Sequence, residues 1–376
     1  MKRDRYFGVS PRIARWKINT PLERFIGHRA DKSESWKKIY VFYYKLFDNK
    51  YYRGGISMIK GLIETRQEDF RDYNTKYIIR DMIYSLHRFG FSFQDYCIYG
   101  FVRLTPRSRR TFVADKLRYH YCDILNKKEI EHLMTDKYAC YNAYKRFYKR
   151  EMIGCYNAKD KKTFIDFVSR HERFIFKPMN EHSGHGIKIL NSTQINSDLF
   201  FDESISKGEF VVEELIQQGK ELSLIHPYSI NSLRVVTFVI NRNVKIIGAT
   251  LRMGCGEAFT DNAGSGGIYA SVDFQHGIIQ TDAVNYKGEH FNFHPTTDVQ
   301  IIGLKLPKWL EALDLIEKIA TNVEGTTLIS WDIAYSNNGW VMVEANDNGD
   351  WSILQSNKKE GLKSVLYSSM DEYFNV

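Results

Sequence analysis

Apolar and polar positions in this chain follow a helical period at first and a strand period later, and the change of period divides it. SESWKKIYVFYYKLFDNKYYRGG has a mixed aromatic and lysine body, with Ser33 or Ser35 as N-cap and Gly54-Gly55 as a stop. ISMIKGLIETRQEDF and NTKYIIRDMIYSLHRFGF repeat the helical spacing, the latter closed by Gly90. DKYACYNAYKRFYKR and KDKKTFIDFVSRH are two more helical stretches, after which the runs shorten. In RFIFKPMNEHSGHGIKIL, the apolar triplets around a glycine-bearing loop predict strand, loop, strand. EFVVEELIQQGKELSLI begins with a strand that runs into Glu213 and Glu214. SINSLRVVTFVINRNVKIIGATLRMGCG predicts two strands joined near Asn241 to Asn243. TDNAGSGGIYASVDF sets a glycine-rich loop before a further strand that ends at Asp273, with a turn at His276-Gly277. LPKWLEALDLIEKIATNVEG is a helix with Pro307 near its start and Gly325 beyond its end. Paired strands with few helices, following a strand-loop-strand unit, predict an α+β architecture.

The last pattern is the most informative. WDIAYSNNGWVMVEAND places two β-rich runs around Asn337, Asn338 and Gly339, a hairpin signal. Glu344 and Asn346 are two apart and share a strand face. With a loop of those three residues, Asp332 falls opposite Glu344, and three oxygen-bearing side chains converge. Buried together without a partner they would be costly. A hard divalent cation such as Mg²⁺ supplies that partner, whereas a solvated hairpin would use the same acids only for solubility.

Composition narrows the class. At 376 residues with 43% hydrophobic and 26% charged residues, the chain is globular and large enough for two or three structural units. Three are expected: a helical, aromatic-rich, basic region over 1–125, then segments over 126–215 and 216–376. No apolar run approaches the length that spans a bilayer, and the basic first residues lack a signal peptide's apolar stretch, so a cytoplasmic location is expected. The 5 cysteines contain no CxxC pair, which argues against a disulfide framework and a zinc knuckle. A net charge of +8 favours acidic partners. Arg103, Arg107, Arg109, Arg110, Lys116 and Arg118 form either a solvated face or a dock for an anionic acceptor. No module for sequence-specific nucleic-acid binding accompanies them. The aromatic excess of the first region suits helix packing, with peripheral membrane or partner contact as the alternative.

In order, the chain shows a lysine before the sheet, Lys177 followed by a glycine-bearing loop, a Glu-ended strand, an arginine-bearing meander, then Asp and Glu-x-Asn. This order resembles the ATP-grasp superfamily. SINSLRVVTF, TLRMGCG, DNAGSGGI and EANDNGDW most resemble its sugar-transfer-associated family, found with polysaccharide biosynthesis genes, over roughly residues 130 to 360. The resemblance implies ATP held between two α+β subdomains with Mg²⁺ on its phosphates. It assigns Lys137 and Lys177 to phosphate contact, with Lys145 close to Lys137. Glu213, Glu214, Leu215 and Ile216 match the adenine hinge and Glu221 the ribose contact. Arg252 matches the arginine that steadies the transferred phosphate, and Asp332, Glu344 and Asn346 the metal ligands. Asn231 and Arg234 are placed only loosely, at phosphate or acceptor. His182 and His185 fit a loop that closes over ATP better than a zinc pair.

The implied activity is an ATP- and Mg²⁺-dependent carboxylate-amine ligation through an acylphosphate, with Lys177 and Arg252 offsetting phosphoryl charge. It would join two small-molecule substrates, an amino acid or other amine and a carboxylate on a sugar, uronic acid or sugar-linked precursor. Two rivals use the same residues differently: a kinase of a sugar or small hydroxyl acceptor, and a non-catalytic adaptor at an anionic glycan or membrane.

Overall fold

The computed structural model describes residues 20–47, 49–179 and 186–375. His182, His185 and the loop around them up to Gly186 therefore lie outside the described residues. The chain separates into two compact units: residues up to Leu125 with Lys287–Glu289 and the stretch from Asp350, and then Asn126–Tyr286 with His290–Gly349.

The first unit is helical. Its elements are α1 (Pro21–Ala30), α2 (Glu34–Phe47), α3 (Asn49–Thr65), α4 (Thr75–Phe89), α5 (Phe93–Ile98) and α6 (Asp115–Leu125). Thr20 caps α1 by accepting from the Glu23 amide at 3.1 Å, with Pro21 at the first turn. α4 ends at Gly90, which takes the left-handed φ of 86° that closes a helix. The Gly54-Gly55 pair, predicted as a stop, lies inside α3 instead. A side chain at Gly55 would press on the Phe93 ring at 3.1 Å, so this glycine answers to packing. The aromatic excess becomes a core in which Tyr40, Tyr44, Tyr84, Tyr96, Phe91 and Phe101 are all buried.

At the centre of that core is Asp81, fully buried. It accepts from Lys37 Nζ at 2.8 Å, Arg109 Nη2 at 2.6 Å and the Tyr96 hydroxyl at 2.6 Å. Arg109, part of the expected anion-docking run, is thus committed to the interior, and its guanidinium also donates to Ser85 Oγ and the Phe101 carbonyl. Arg118 is likewise buried and bonds Asp115 at 3.2 Å. The run is therefore not a single exposed face.

Residues from Asp350 on, expected in a segment over 216–376, pack in this first unit. Gln355 accepts from the Val113 amide at 2.7 Å and donates to the Val113 carbonyl at 3.0 Å, so its amide side chain acts as an extra rung of backbone pairing. Lys363 N–H donates to the Thr111 carbonyl at 3.0 Å, and Tyr121 and Tyr367 meet through their hydroxyls at 2.9 Å.

The second unit holds α7 (Lys128–Thr135), α8 (Lys137–Tyr148) and two antiparallel sheets. The first sheet has the order β1-β4-β2-β3, from β1 (Met152–Cys155), β2 (Arg173–Pro178), β3 (Lys188–Asn191) and β4 (Phe210–Glu214). With it pack α9 (Lys161–Arg170) and α10 (Ser197–Lys207), over Phe164, Phe167, Phe174, Phe201 and Phe210.

The second sheet contains β5 (Ser232–Ile240), β6 (Asn243–Met253), β7 (Ile268–Asp273), β8 (Ile278–Ile279), β9 (Ala283–Val284) and β10 (His290–Phe291). It is completed by β11 (Leu328–Ser336) and β12 (Gly339–Asn346). Their order is β10-β9-β7-β6-β5-β11-β12, with β8 on β7. Asn241 and Arg242 both take positive φ in the tight turn between β5 and β6. On one face Leu233, Val235, Leu251, Ile329, Trp331 and Ile333 belong to a core shared with α8 and with α11 (Trp309–Ala320). Of the residues in alternation with these, Ser232, Arg234, Thr250, Arg252 and Asp332 are polar, and they form the site. No helix among the described residues is long and apolar enough to cross a membrane.

Candidate active site

The β11–β12 hairpin brings Asp332 opposite Glu344, though by a different route from the predicted one. The turn has two residues, Asn337 and Asn338, because Ser336 pairs with Gly339, whose φ is 82°. A two-residue turn alone would set Val343 against Asp332. Instead the register shifts between Asp332 and Ile333: Ile333 pairs with Met342 and Asp332 with Glu344, leaving Val343 as the surplus residue of a β-bulge.

Pairing then continues across five strands in one row: Glu344 on β12, Asp332 on β11, Arg234 on β5, Thr250 on β6 and Ser271 on β7. Directly paired residues share a face, so the row is continuous. Ser232 and Arg252 stand two residues along their strands from Arg234 and Thr250, on the same side.

Asp332 is completely buried and is gripped from two directions. Its Oδ1 accepts from Arg234 Nε at 2.8 Å, while Oδ2 accepts from Arg234 Nη2 at 2.8 Å and Arg252 Nη2 at 2.9 Å. Burial alone would push this carboxyl up, but the two guanidiniums hold it well below the usual carboxylate range. Glu344 behaves oppositely. Its crowding among protein atoms first, and the Asp332 charge next, push it up. Its side chain is nonetheless 48% exposed, so solvent reaches this carboxylate and weakens the push. Asn346 donates to Glu344 Oε1 at 3.3 Å.

For a hard cation this donor set fits. Glu344 and Asn346 are the open oxygens, and three of the roughly four lone-pair sites of Asp332 are engaged by arginine. A cation would relieve the repulsion that pushes Glu344 up. Among the described residues no group of three His, Cys, Asp or Glu could hold a metal, so any such site here is of the mixed carboxylate and amide kind.

Arg252 also donates to Ser232 Oγ at 2.6 Å and 3.1 Å, and lies 3.6 Å from Asp261. Asp261 accepts from the Ser232 amide at 2.9 Å, which anchors the start of the glycine-rich loop beside the row.

Lys177 and Lys137 converge on one short segment. Lys137, the first residue of α8, donates through Nζ to the Met179 carbonyl at 2.7 Å. Lys177 is ion-paired with Glu213, which also receives Arg150 at 2.9 Å and 3.2 Å. Glu213 is buried, which would push its carboxyl up, yet Arg150 and Lys177 hold it below its ordinary value. Its side chain therefore serves the two cations, from a strand position opposite Ile175. Arg150 donates in turn to the Met342 carbonyl at 2.7 Å, linking the first sheet to β12.

Of the other expected hinge residues, Glu214 is exposed and its Oε2 accepts from the Glu151 amide. Leu215 and Ile216 run on beyond β4, partly exposed, with no backbone bond among the described residues, as an adenine edge would require. Glu221 lies exposed on a single helical turn, Lys220–Ser223. Asn231, expected near phosphate or acceptor, is instead fully buried. It donates to the Leu222 and His226 carbonyls at 2.8 Å and 3.1 Å and so pins the 218–231 loop.

Two histidines that the sequence did not single out secure the segment after Arg252. His294 Nδ1 accepts from the Thr296 amide, so Nε2 carries the proton and donates to the Gly254 carbonyl at 2.8 Å. Burial keeps its pKa below the ordinary value, in favour of this neutral form. His226 Nε2 lies 3.0 Å from the Gly256 carbonyl, and its Nδ1 lies 2.8 Å from Ser229 Oγ. A methyl at Gly254 would fall 2.4 Å from Ser229 Oγ and 2.8 Å from the His226 ring. Gly254→Ala is accordingly expected to lower stability by about 1–3 kcal/mol, the usual range for overpacking. It should also reduce turnover through Arg252. Urea melts beside steady-state rates would check both, and a neutral result in each would dismiss the contact.

A family model described as sugar-transfer associated ATP-grasp matches residues 116–370. No curated protein matches the sequence. Among solved structures, the ATP-grasp ligase PsnB complexed with minimal precursor is 12% identical over 71% of this chain and 71% of its own, with a TM-score of 0.42. D-alanine-D-alanine ligase from Helicobacter pylori is 14% identical over 69% and 68%, at 0.41. N5-carboxyaminoimidazole synthetase from Staphylococcus aureus is 10% identical, at 0.38, and the match covers 64% of this chain but only 52% of that one.

Proposed function

The chain belongs to the sugar-transfer associated ATP-grasp family, and from that membership we propose an ATP- and Mg²⁺-dependent ligase joining an amine to a carboxylate, one of them carried on a sugar, uronic acid or sugar-linked precursor. The observation that carries this reading is the half-exposed Glu344 beside Asp332, flanked by Arg234 and Arg252. Acidic oxygens open to a cation, next to guanidiniums suited to phosphoryl oxygens, are what ATP-driven group transfer requires.

In this scheme Glu344, Asn346 and the remaining lone pair of Asp332 would hold Mg²⁺, which would supply neutralisation of phosphate charge. Lys137 approaches the phosphates from the start of α8 and Lys177 from β2 of the first sheet. Lys177 shares its charge with Glu213, which positions the ammonium and limits its reach. The backbone of Leu215 and Ile216 meets the adenine edge, and exposed Glu221 meets ribose. A substrate carboxylate oxygen attacks the γ-phosphorus as its bond to the ADP oxygen breaks. Arg252 steadies the transferred group. The amine then attacks the acyl carbon and loses a proton, and inorganic phosphate leaves. Arg234 keeps Asp332 ionised throughout.

The test is ADP release with Mg²⁺ and ATP, with amino acids crossed against uronic acids and nucleotide-linked sugars and products read by mass spectrometry. Acceptor-dependent ADP, free phosphate and an amide product are expected. Phosphate retained on a hydroxyl would make the protein a kinase. ATP that fails to bind at all would overturn the reading.

A further inference from the structure

We propose that the outer face of α2, together with the groove between α2 and α4, docks on an anionic lipid bilayer. This inference is independent of the ATP site and rests on the first unit alone.

A surface helix normally turns a polar stripe to water. α2 does not. Its inner side buries Tyr40, Val41, Tyr43 and Tyr44. Its outer stripe carries Ile39, Phe42 and Leu46, at spacings of three and four, exposed by 46%, 56% and 63%. Phe47 adds 66% at the end of the helix. On the α1 side, Leu22 and Phe25 are also more than half exposed, and Phe25 meets Trp36 of α2 edge to face at 5.9 Å. Scattered exposed apolar residues are ordinary, but a run along one helix face with a neighbouring helix continuing it is not.

Charge identifies the partner. Along the other side of this stripe runs a groove of about 340 Å³ lined by Lys38, Val41, Phe42 and Lys45 from α2 and by Lys76, Ile79 and Arg80 from α4. Four cations surround three apolar side chains. Arg80 bonds Glu34 at 3.0 Å, while Lys38 and Lys76 have no carboxylate partner among the described residues. Arg29 caps the α1 end by stacking on Phe25 and Trp36 at 4.9 Å and 5.2 Å. Aromatic and aliphatic side chains ringed by lysine and arginine are the composition that lies in a bilayer interface. The rings enter the boundary of the acyl region and the cations meet phosphate. A soluble polyanion would reward the cations but leave Phe42 and Leu46 in water, which favours the bilayer.

Co-flotation of the full chain with vesicles tests this, using phosphatidylcholine alone and with a third phosphatidylglycerol. The parent should partition at least about tenfold more onto the anionic vesicles. A Lys38→Glu, Lys45→Glu, Lys76→Glu variant should lose that preference. A Phe42→Ser, Leu46→Ser variant should bind weakly and be released by salt that the parent withstands. All five positions are exposed or line an open groove, and unchanged circular dichroism should confirm that each variant folds. Equal binding to both vesicle types, or variants that bind like the parent, would overturn the proposal. So would a parent that dimerises through this face, with Phe42→Ser, Leu46→Ser returning it to monomer and neither binding vesicles.

Discussion

Glu344→Ala should abolish Mg²⁺-dependent ADP formation, by roughly 10²–10³-fold or more, the scale of losing one preorganised electrostatic contact. Folding stability at neutral pH should be left intact or raised. The stability half follows from the direction in which its crowded surroundings and Asp332 push Glu344, which is upward. A carboxyl whose pKa is higher in the folded state binds more protons there, so its contribution to stability falls as pH rises from the ordinary glutamate value of about 4.3 through the folded value. At pH 7 the ionised group opposes folding, and removing it relieves Asp332. Steady-state rates over a Mg²⁺ titration, with urea melts of the same protein at pH 5 and 7, would measure both. A variant that loses stability along with activity would make Glu344 a structural member of the row.

Asp332→Ala should fail in the opposite way, with activity lost because the protein is damaged. Removing the buried carboxylate takes away the counter-charge that Arg234 and Arg252 share and leaves them only the more distant Glu344, at 3.9 Å, and Asp261, at 3.6 Å; breaking a buried pair typically costs about 3–5 kcal/mol. Asp332 is held far below the usual range, so its stabilisation is present above the unfolded aspartate value of about 3.9 and is lost as pH falls from there toward the folded value. Acid unfolding of the parent should therefore steepen below about pH 4, and the variant should lack that component. A variant as stable as the parent, with a Mg²⁺ requirement shifted tenfold or more, would show that Asp332 acts chiefly as a ligand and little as a clamp.

The contrast between these two neighbours marks the limit of what the sequence allows. Glu344 and Asn346 on one face, with Asp332 across from them, follow from spacing alone, because strand period is a local property. That Asp332 would be spent on two arginines does not follow, since Arg234 and Arg252 come from strands some 100 and 80 positions away in the chain. The same holds for Glu213, where an Arg just beyond α8 and a Lys on β2 meet one carboxylate. No local signal singles out Arg150, His226 or His294. The Gly54-Gly55 prediction fails for a related reason: helix propensity marks a stop, and tertiary contact with Phe93 overrides it. The sheet strands and the glycine closing α4 were legible because turn chemistry and period act within a few residues.

Val343 carries a consequence for how this hairpin tolerates change. Were the bulge ironed out with every residue kept, the pairing set by the Asn337-Asn338 turn would aim Val343 at the arginines and drive Glu344 and Asn346 into the packed side beside Trp331. Hairpin length, and not only its composition, is thus under constraint. Swapping side chains in the turn leaves parity untouched, and losing one residue between the turn and Glu344 would only absorb the bulge, whereas gaining one there with the bulge kept turns Glu344 away from Asp332. Two compensating length changes would restore it.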